Sequence, residues 1–202
     1  MSAQAVRLTD IDIDNALQNA HLELAFQPVV RFSDNVIIRY EALVRWEHPG
    51  LGPLPPGAFL SFFESRGRIG ELTRYVLQSS LSAARHAGLD EDFGISINLS
   101  LADMSDKSLP DTISEQLDKH DWPAERLTLE CPLFSPDIAL SVQAESYAAL
   151  AETGCPLALE VRGRANDAMK RFDPFVFAEI KTGGPAVLRQ VKLSRGGPGL
   201  NT

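Results

Sequence analysis

The chain has 202 residues, with 27 acidic against 19 basic side chains and a formal net charge of −8. Hydrophobic residues make up 44% and charged residues 23%, which suits a packed soluble domain and excludes wholesale disorder. The acidic balance argues against binding a nucleic-acid polymer, whose backbone calls for clustered cations, but leaves open a small nucleotide held by one arginine or by metal ions.

In chain order, a helical lead-in occupies residues 1–20. Leu22–Val30 and Val36–Glu47 are rich in β-branched and aromatic residues, and Ser33-Asp34-Asn35 between them predicts a hairpin. A Gly/Pro stretch from Pro49 to Gly57 follows. Leu72, Tyr75, Val76, Ser79, Ser80 and Ala83 then recur at helical spacing, with Gly88 as the stop. Gly94–Leu101 alternates, placing Ile95, Ile97 and Leu99 on one face and Ser96, Asn98 and Ser100 on the other. A short helix over Leu109–His120 and a strand over Arg126–Cys131 come next. Ser135-Pro136-Asp137 predicts a helix start, with Leu140, Ala144, Tyr147, Ala148 and Ala151 as its apolar stripe. Leu157–Val161, Ala165–Phe172 and Phe175–Lys181 read as strand, helix and strand. Residues 183–202 form a Gly/Pro-rich tail in which only Ala186–Leu193 offers an element. Strands separated by helices predict an α/β sheet or barrel with parallel pairing, apart from the opening hairpin.

Alternation along these strands sets polar side chains on one face. Glu41 joins Leu43 and Arg45, and the later strands contribute Asn98, then Thr128 and Glu130, then Glu160, then Glu179 and Lys181, with Gln27 on the first strand. Each is expected near the C-terminal end of its strand, where ligands gather in such folds. Oxygen ligands from Glu41, Asn98 and Glu130 would suit Mg²⁺, Mn²⁺ or Ca²⁺. Internal salt bridges, Glu130 with Arg45 or with Lys181, would explain the same polar face without a ligand.

The run Tyr40-Glu41-Ala42-Leu43-Val44-Arg45-Trp46-Glu47-His48-Pro49 resembles the signature segment of the EAL domain family, cyclic di-GMP phosphodiesterases and their inactive relatives. Phe26-Gln27-Pro28-Val29-Val30 before it also fits. So do Leu54-Pro55-Pro56-Gly57-Ala58-Phe59 with Glu64 and Gly67, Asn98-Leu99-Ser100, and Leu127-Thr128-Leu129-Glu130, in family order from about Leu22 to about Lys181. The resemblance implies a TIM-like (β/α) barrel with an antiparallel first strand, over residues 21–182. It also implies metal-ligand positions at Glu41, Asn98, Glu130 and Glu160, and ligand-binding positions at Gln27, Glu41, Leu43, Arg45 and Asn98. Lys181 falls at the family's lysine near the attacking water.

The pattern then breaks. The family's aspartate pair is replaced by Glu160-Val161, with Arg162 and Arg164 after it; Cys131-Pro132 follows Glu130, and Thr182 follows Lys181. Two-metal hydrolysis needs ligands for both ions, and valine supplies none. The chain is also about 50 residues shorter than a typical full barrel of about 250, which predicts one incomplete at its C-terminal end. The expectation is therefore a catalytically inactive, regulatory, cytoplasmic bacterial protein in cyclic di-GMP signalling. It would act through a protein partner or a homodimer, with no catalytic residues and no required cofactor. Non-hydrolysing binding of cyclic di-GMP is the alternative, and weak hydrolysis with Mg or Mn at the remnant site the less favoured one.

Other residues carry plainer expectations. Cys131 and Cys155 give no disulfide framework and read as reduced core thiols. Trp46, Phe59, Phe62 and Phe63 read as core, His48 as a structural loop histidine, and His21, His86 and His120 as surface. No apolar run reaches the roughly 18 residues a membrane span needs, and Met1-Ser2-Ala3-Gln4 opens no signal sequence.

Overall fold

The computed structural model describes residues 7–19, 21–31, 33–87, 93–133, 138–161, 177–182 and 189–192. They belong to two compact units, Met1–Ile97 and Asn98–Thr202.

In the first unit, helix α1 (Asp10–Gln18) opens on Thr9, whose backbone N and Oγ1 both donate to Asp12 Oδ2 at 2.7 Å. Strands β1 (Leu22–Val30) and β2 (Ile37–His48) pair antiparallel, as the hairpin signal predicts. The turn uses the chemistry of its sequence: Asp34 Oδ1 accepts from Val36 N, and Asn35 adopts a left-handed φ of 56°. Glu47 N donates to the carbonyl of His21, its cross-strand partner. Hydrogen-bonded pairs recur every second residue, so Glu23, Ala25 and Gln27 turn their backbone groups toward β2 while Leu24, Phe26 and Pro28 turn theirs away. Proline, which has no N–H, thus sits where the ladder loses nothing.

Strand β3 (Gly52–Leu54) pairs antiparallel with the end of β2, inside the Gly/Pro stretch that the sequence pattern leaves as loop. Strand β4 (Gly94–Asn98) runs parallel to β2 along Arg39–Ala42. Pro55 and Pro56 start helix α2 (Pro56–Ser65), and Gly67, at φ 65°, turns the chain into α3 (Ile69–His86). Trp46 is 1% exposed and meets the buried Phe59 and Phe63 edge-on, with ring centroids 5.8 and 5.7 Å away. This is the expected aromatic core, although Phe62 is only half-buried, beneath the Arg66 guanidinium. On α3 the buried stripe is Leu72, Val76, Leu77, Ser80, Leu81 and Ala84, whereas Tyr75, Ser79 and Ala83 are half-buried.

In the second unit, α4 (Leu109–His120) occupies the expected span. Strands β5 (Leu127–Pro132), β6 (Leu157–Val161) and β7 (Glu179–Thr182) pair in parallel order. Strand β8 (Arg189–Lys192) returns antiparallel to β7 and gives an element to the tail. Helix α5 (Leu140–Ala151) corrects one expectation. Its buried side chains are Gln143, Tyr147 and Leu150, while Ala144, Ala148 and Ala151 are exposed. Alanine periodicity is a weak facing signal, and the large ring of Tyr147, stacked edge-on against Phe177 at 4.8 Å, sets the orientation. The helix start expected at Ser135-Pro136-Asp137, the helix over Ala165–Phe172 and the residues Arg162, Arg164 and Arg171 lie outside the described residues.

Two-sided burial also departs from the alternating pattern. Ile95, Ser96 and Ile97 are all fully buried, as are Leu127 and Leu129, with Thr128 and Glu130 nearly so. Parallel strands lie between covered faces, so a polar residue in the alternation need not point to water. An antiparallel first pair, parallel strands after it and intervening helices make the α/β arrangement expected of a TIM-like barrel whose first strand is reversed. No helix among the described residues is long and apolar enough to cross a membrane.

Candidate functional site

Residues that face each other in strand register share one face of the sheet. On β1 and β2, Gln27 faces Glu41, Ala25 faces Leu43, Glu23 faces Arg45 and Val29 faces Arg39. The opposite face carries Trp46 against α2, so this polar face points away from that helix. Glu41 and Arg39 are each 5% exposed, Leu43 and Arg45 are half-buried, and Gln27 is exposed. Arg45 Nη1 donates to the Val44 carbonyl at 3.0 Å. In the parallel register Ser96 stands level with Glu41, so Gln27, Glu41 and Ser96 form a transverse row across β1, β2 and β4.

Glu41 is not at the end of its strand, contrary to the sequence reading. Strand β2 runs on to His48 because its last three residues pair with β3. What ends just beyond Glu41 is the parallel ladder with β4, at Ala42.

The second unit supplies the other candidates. Glu130 on β5 is 2% exposed and receives a hydrogen bond from Lys181 Nζ at 2.5 Å, an ion pair between nearly buried groups. Of the two salt bridges open on sequence grounds, the lysine one forms. Glu160 on β6 is half-buried and faces Lys181 in the β6–β7 register. Val161, 3% exposed, follows on the opposite side of β6. Asn98 ends β4 and is exposed, and the next residue, Leu99, donates its N–H to the Glu130 carbonyl at 2.9 Å. Beyond it the buried Asp103 carboxylate accepts from both Ser100 N and Ser100 Oγ at 2.7 Å, fixing the turn.

Titration behaviour separates structural from reactive groups. Burial pushes the Cys131 thiol far up, with the Glu130 charge adding to it, and pushes Cys155 up to about 11. Both are buried free thiols held in the unreactive form. His48 is structural too: its Nδ1 accepts from Gly50 N and Leu51 N, and its Nε2 meets Asp12 Oδ1 at 3.2 Å. Among the histidines expected at the surface, His86 is exposed, while His21 and His120 are half-buried.

The resemblance implies a divalent cation. The carboxylate and amide oxygens of Glu41, Asn98, Glu130 and Glu160 have the right chemistry for Mg²⁺ or Mn²⁺. Among the described residues no three or more His, Cys, Asp or Glu gather to hold an ion, and Glu130 is engaged by Lys181. Two further residues lie on these faces. Arg39 shares the alternation of Glu41, and Ser96 stands level with Glu41 on β4.

A family model described as EAL domain matches residues 11–195. The chain is 36% identical over 119 residues to an uncharacterised protein of Mycobacterium bovis, covering 57% of this chain and 38% of that one. It is 28% identical over 171 residues to the cyclic di-GMP phosphodiesterase RocR of Pseudomonas aeruginosa, covering 84% of this chain and 44% of RocR. The chain therefore spans less than half the length of these curated relatives. Among solved structures, the PaMucR phosphodiesterase in complex with cyclic di-GMP matches with a TM-score of 0.73 at 26% identity, over 85% of this chain and 70% of that one.

Proposed function

The chain belongs to the EAL domain family, and from that premise we propose that it is a catalytically inactive regulatory member that takes up cyclic di-GMP without cutting it and signals through protein contact. In such a member residues 21–182 would be the barrel, 1–20 a helical lead-in and 183–202 a tail. The observation that carries it is Val161, a buried apolar side chain where the family resemblance expects the second aspartate of a metal motif. Hydrolysis by two ions needs anchoring ligands for both, and a valine leaves the second without one.

Binding is supported by the other face. Gln27, Glu41, Leu43 and Arg45 stand together in the β1–β2 register, and Arg45 offers a planar guanidinium suited to a phosphate. The PaMucR structure, which shares this fold, is itself a cyclic di-GMP complex. Mg²⁺ or Mn²⁺, if held at all, would lie with Glu41, Asn98, Glu130 and Glu160.

Calorimetry with cyclic di-GMP, with and without Mg²⁺ or Mn²⁺, and chromatography of the mixture test the proposal. Saturable heat with no linear dinucleotide is expected, and Arg45→Ala should weaken binding by at least about tenfold through lost charge-assisted hydrogen bonds. Linear product that disappears in Glu41→Ala would overturn the inactive assignment. No heat up to high micromolar nucleotide would remove the ligand and leave protein contact alone.

A further inference from the structure

We propose that Ser96 is a positioning residue for Glu41, donating a hydrogen bond that fixes the Glu41 carboxylate when the dinucleotide occupies this face; the inference rests on the binding function proposed above. Ser96 is fully buried, and its Oγ has no hydrogen-bond partner among the described residues. Its strand neighbours Ile95 and Ile97, on the opposite face, are fully buried and apolar. The register sets it level with Glu41 on the adjacent strand and on the same face. Neighbouring strands lie about 4.8 Å apart, within the swing of a glutamate side chain. A serine hydroxyl rotates to suit its acceptor, so it can hold its proton ready for a carboxylate that changes orientation.

A second buried hydroxyl provides the contrast. Ser80 Oγ is also fully buried with no hydrogen-bond partner among the described residues, yet it sits on the buried stripe of α3 with Leu77, Leu81 and Ala84. Burial without a partner is therefore not peculiar to Ser96. What distinguishes Ser96 is the carboxylate beside it. In such a buried row a charged acceptor gains most from a fixed donor.

The test compares Ser96→Ala, Ser96→Thr and Ser80→Ala by thermal melting and by cyclic di-GMP titration. Ser96→Ala should melt no lower than the parent, because it removes only a buried hydroxyl, yet bind about tenfold more weakly, the scale of one hydrogen bond to a charged group. Ser96→Thr, which keeps the hydroxyl, should retain most of the affinity, and Ser80→Ala should leave it unchanged. Adding Ser96→Ala to Glu41→Ala should cost nothing further, since the acceptor is already gone. Unchanged affinity in Ser96→Ala, or additive losses with Glu41→Ala, would overturn this inference while leaving the binding function intact. A parent protein that binds no cyclic di-GMP would overturn both.

Discussion

The ion pair of Lys181 with Glu130 shows how residue-level chemistry depends on distant chain. Their side chains are 12% and 1% exposed, and 51 positions of sequence separate them. Sequence alone offered two cations for this glutamate. The pairing with Lys181 came only with the packing of β5, β6 and β7, which no local pattern encodes. Removing one partner of a buried pair leaves an uncompensated charge, so Lys181→Met should lower the unfolding free energy by about 3–5 kcal/mol. Converting Glu130 to Gln in the same chain should recover much of that. Urea denaturation of the single and double variants measures both, and equal destabilisation of the two would contradict the pairing. Glu41 was legible because the signature around it is dense. Ser96 was not, because alternation says which face a residue takes and nothing about whether its hydroxyl finds a partner.

At the level of elements, helix α1 is fastened by its aspartates. Asp10 meets Arg66 at 3.3 Å, Asp12 meets His48 at 3.2 Å and Asp14 meets Arg68 at 2.8 Å, while Ile13 and Ala16 are fully buried. Arg68 also forks onto Glu71, its Nε and Nη2 each donating at 2.7 Å. Hydrogen bonding from Thr9 holds the Asp12 carboxyl below its ordinary 3.8, and bonding from Arg68 holds Glu71 below its ordinary 4.5. A depressed carboxyl stabilises the fold fully above its ordinary value and loses that contribution as pH falls through its folded-state value. Melting temperature should therefore drop as pH is lowered below about 4.5, less steeply in Arg68→Ala, which no longer has the Glu71 contact to lose. Parallel slopes for the two proteins would refute the assignment. Elements with strong periodicity, such as α3 and α4, were readable from sequence. Strand β3 was not: three residues among glycines and prolines form a strand only because β2 extends to meet them.

For the molecule as a whole, net charge and local charge differ. A chain at −8 repels a polyanion, yet the face bearing Arg39 and Arg45 is charge-balanced, its two guanidinium groups set against Glu23 and Glu41. A compact dinucleotide needs only such a local patch, whereas duplex DNA needs a long basic track. Under conditions where cyclic di-GMP binds, a 30-mer duplex labelled with a fluorophore should show no change in anisotropy. A salt-sensitive rise would mean that the patch extends further than these residues. The α/β class and the reversed first strand were legible because helix and strand periods alternate so regularly. The covering of both strand faces was not, because it depends on layers that a single strand cannot report.

Pro28 carries a consequence for how this protein meets its neighbours. Strand β1 turns the backbone of Leu24, Phe26 and Pro28 away from β2, and at Pro28 that side offers a carbonyl but no donor. A strand from another molecule laid along this side could bond at Leu24 and Phe26 but would find a missing rung at Pro28. The proline thus leaves that side of β1 one donor short for any strand laid against it.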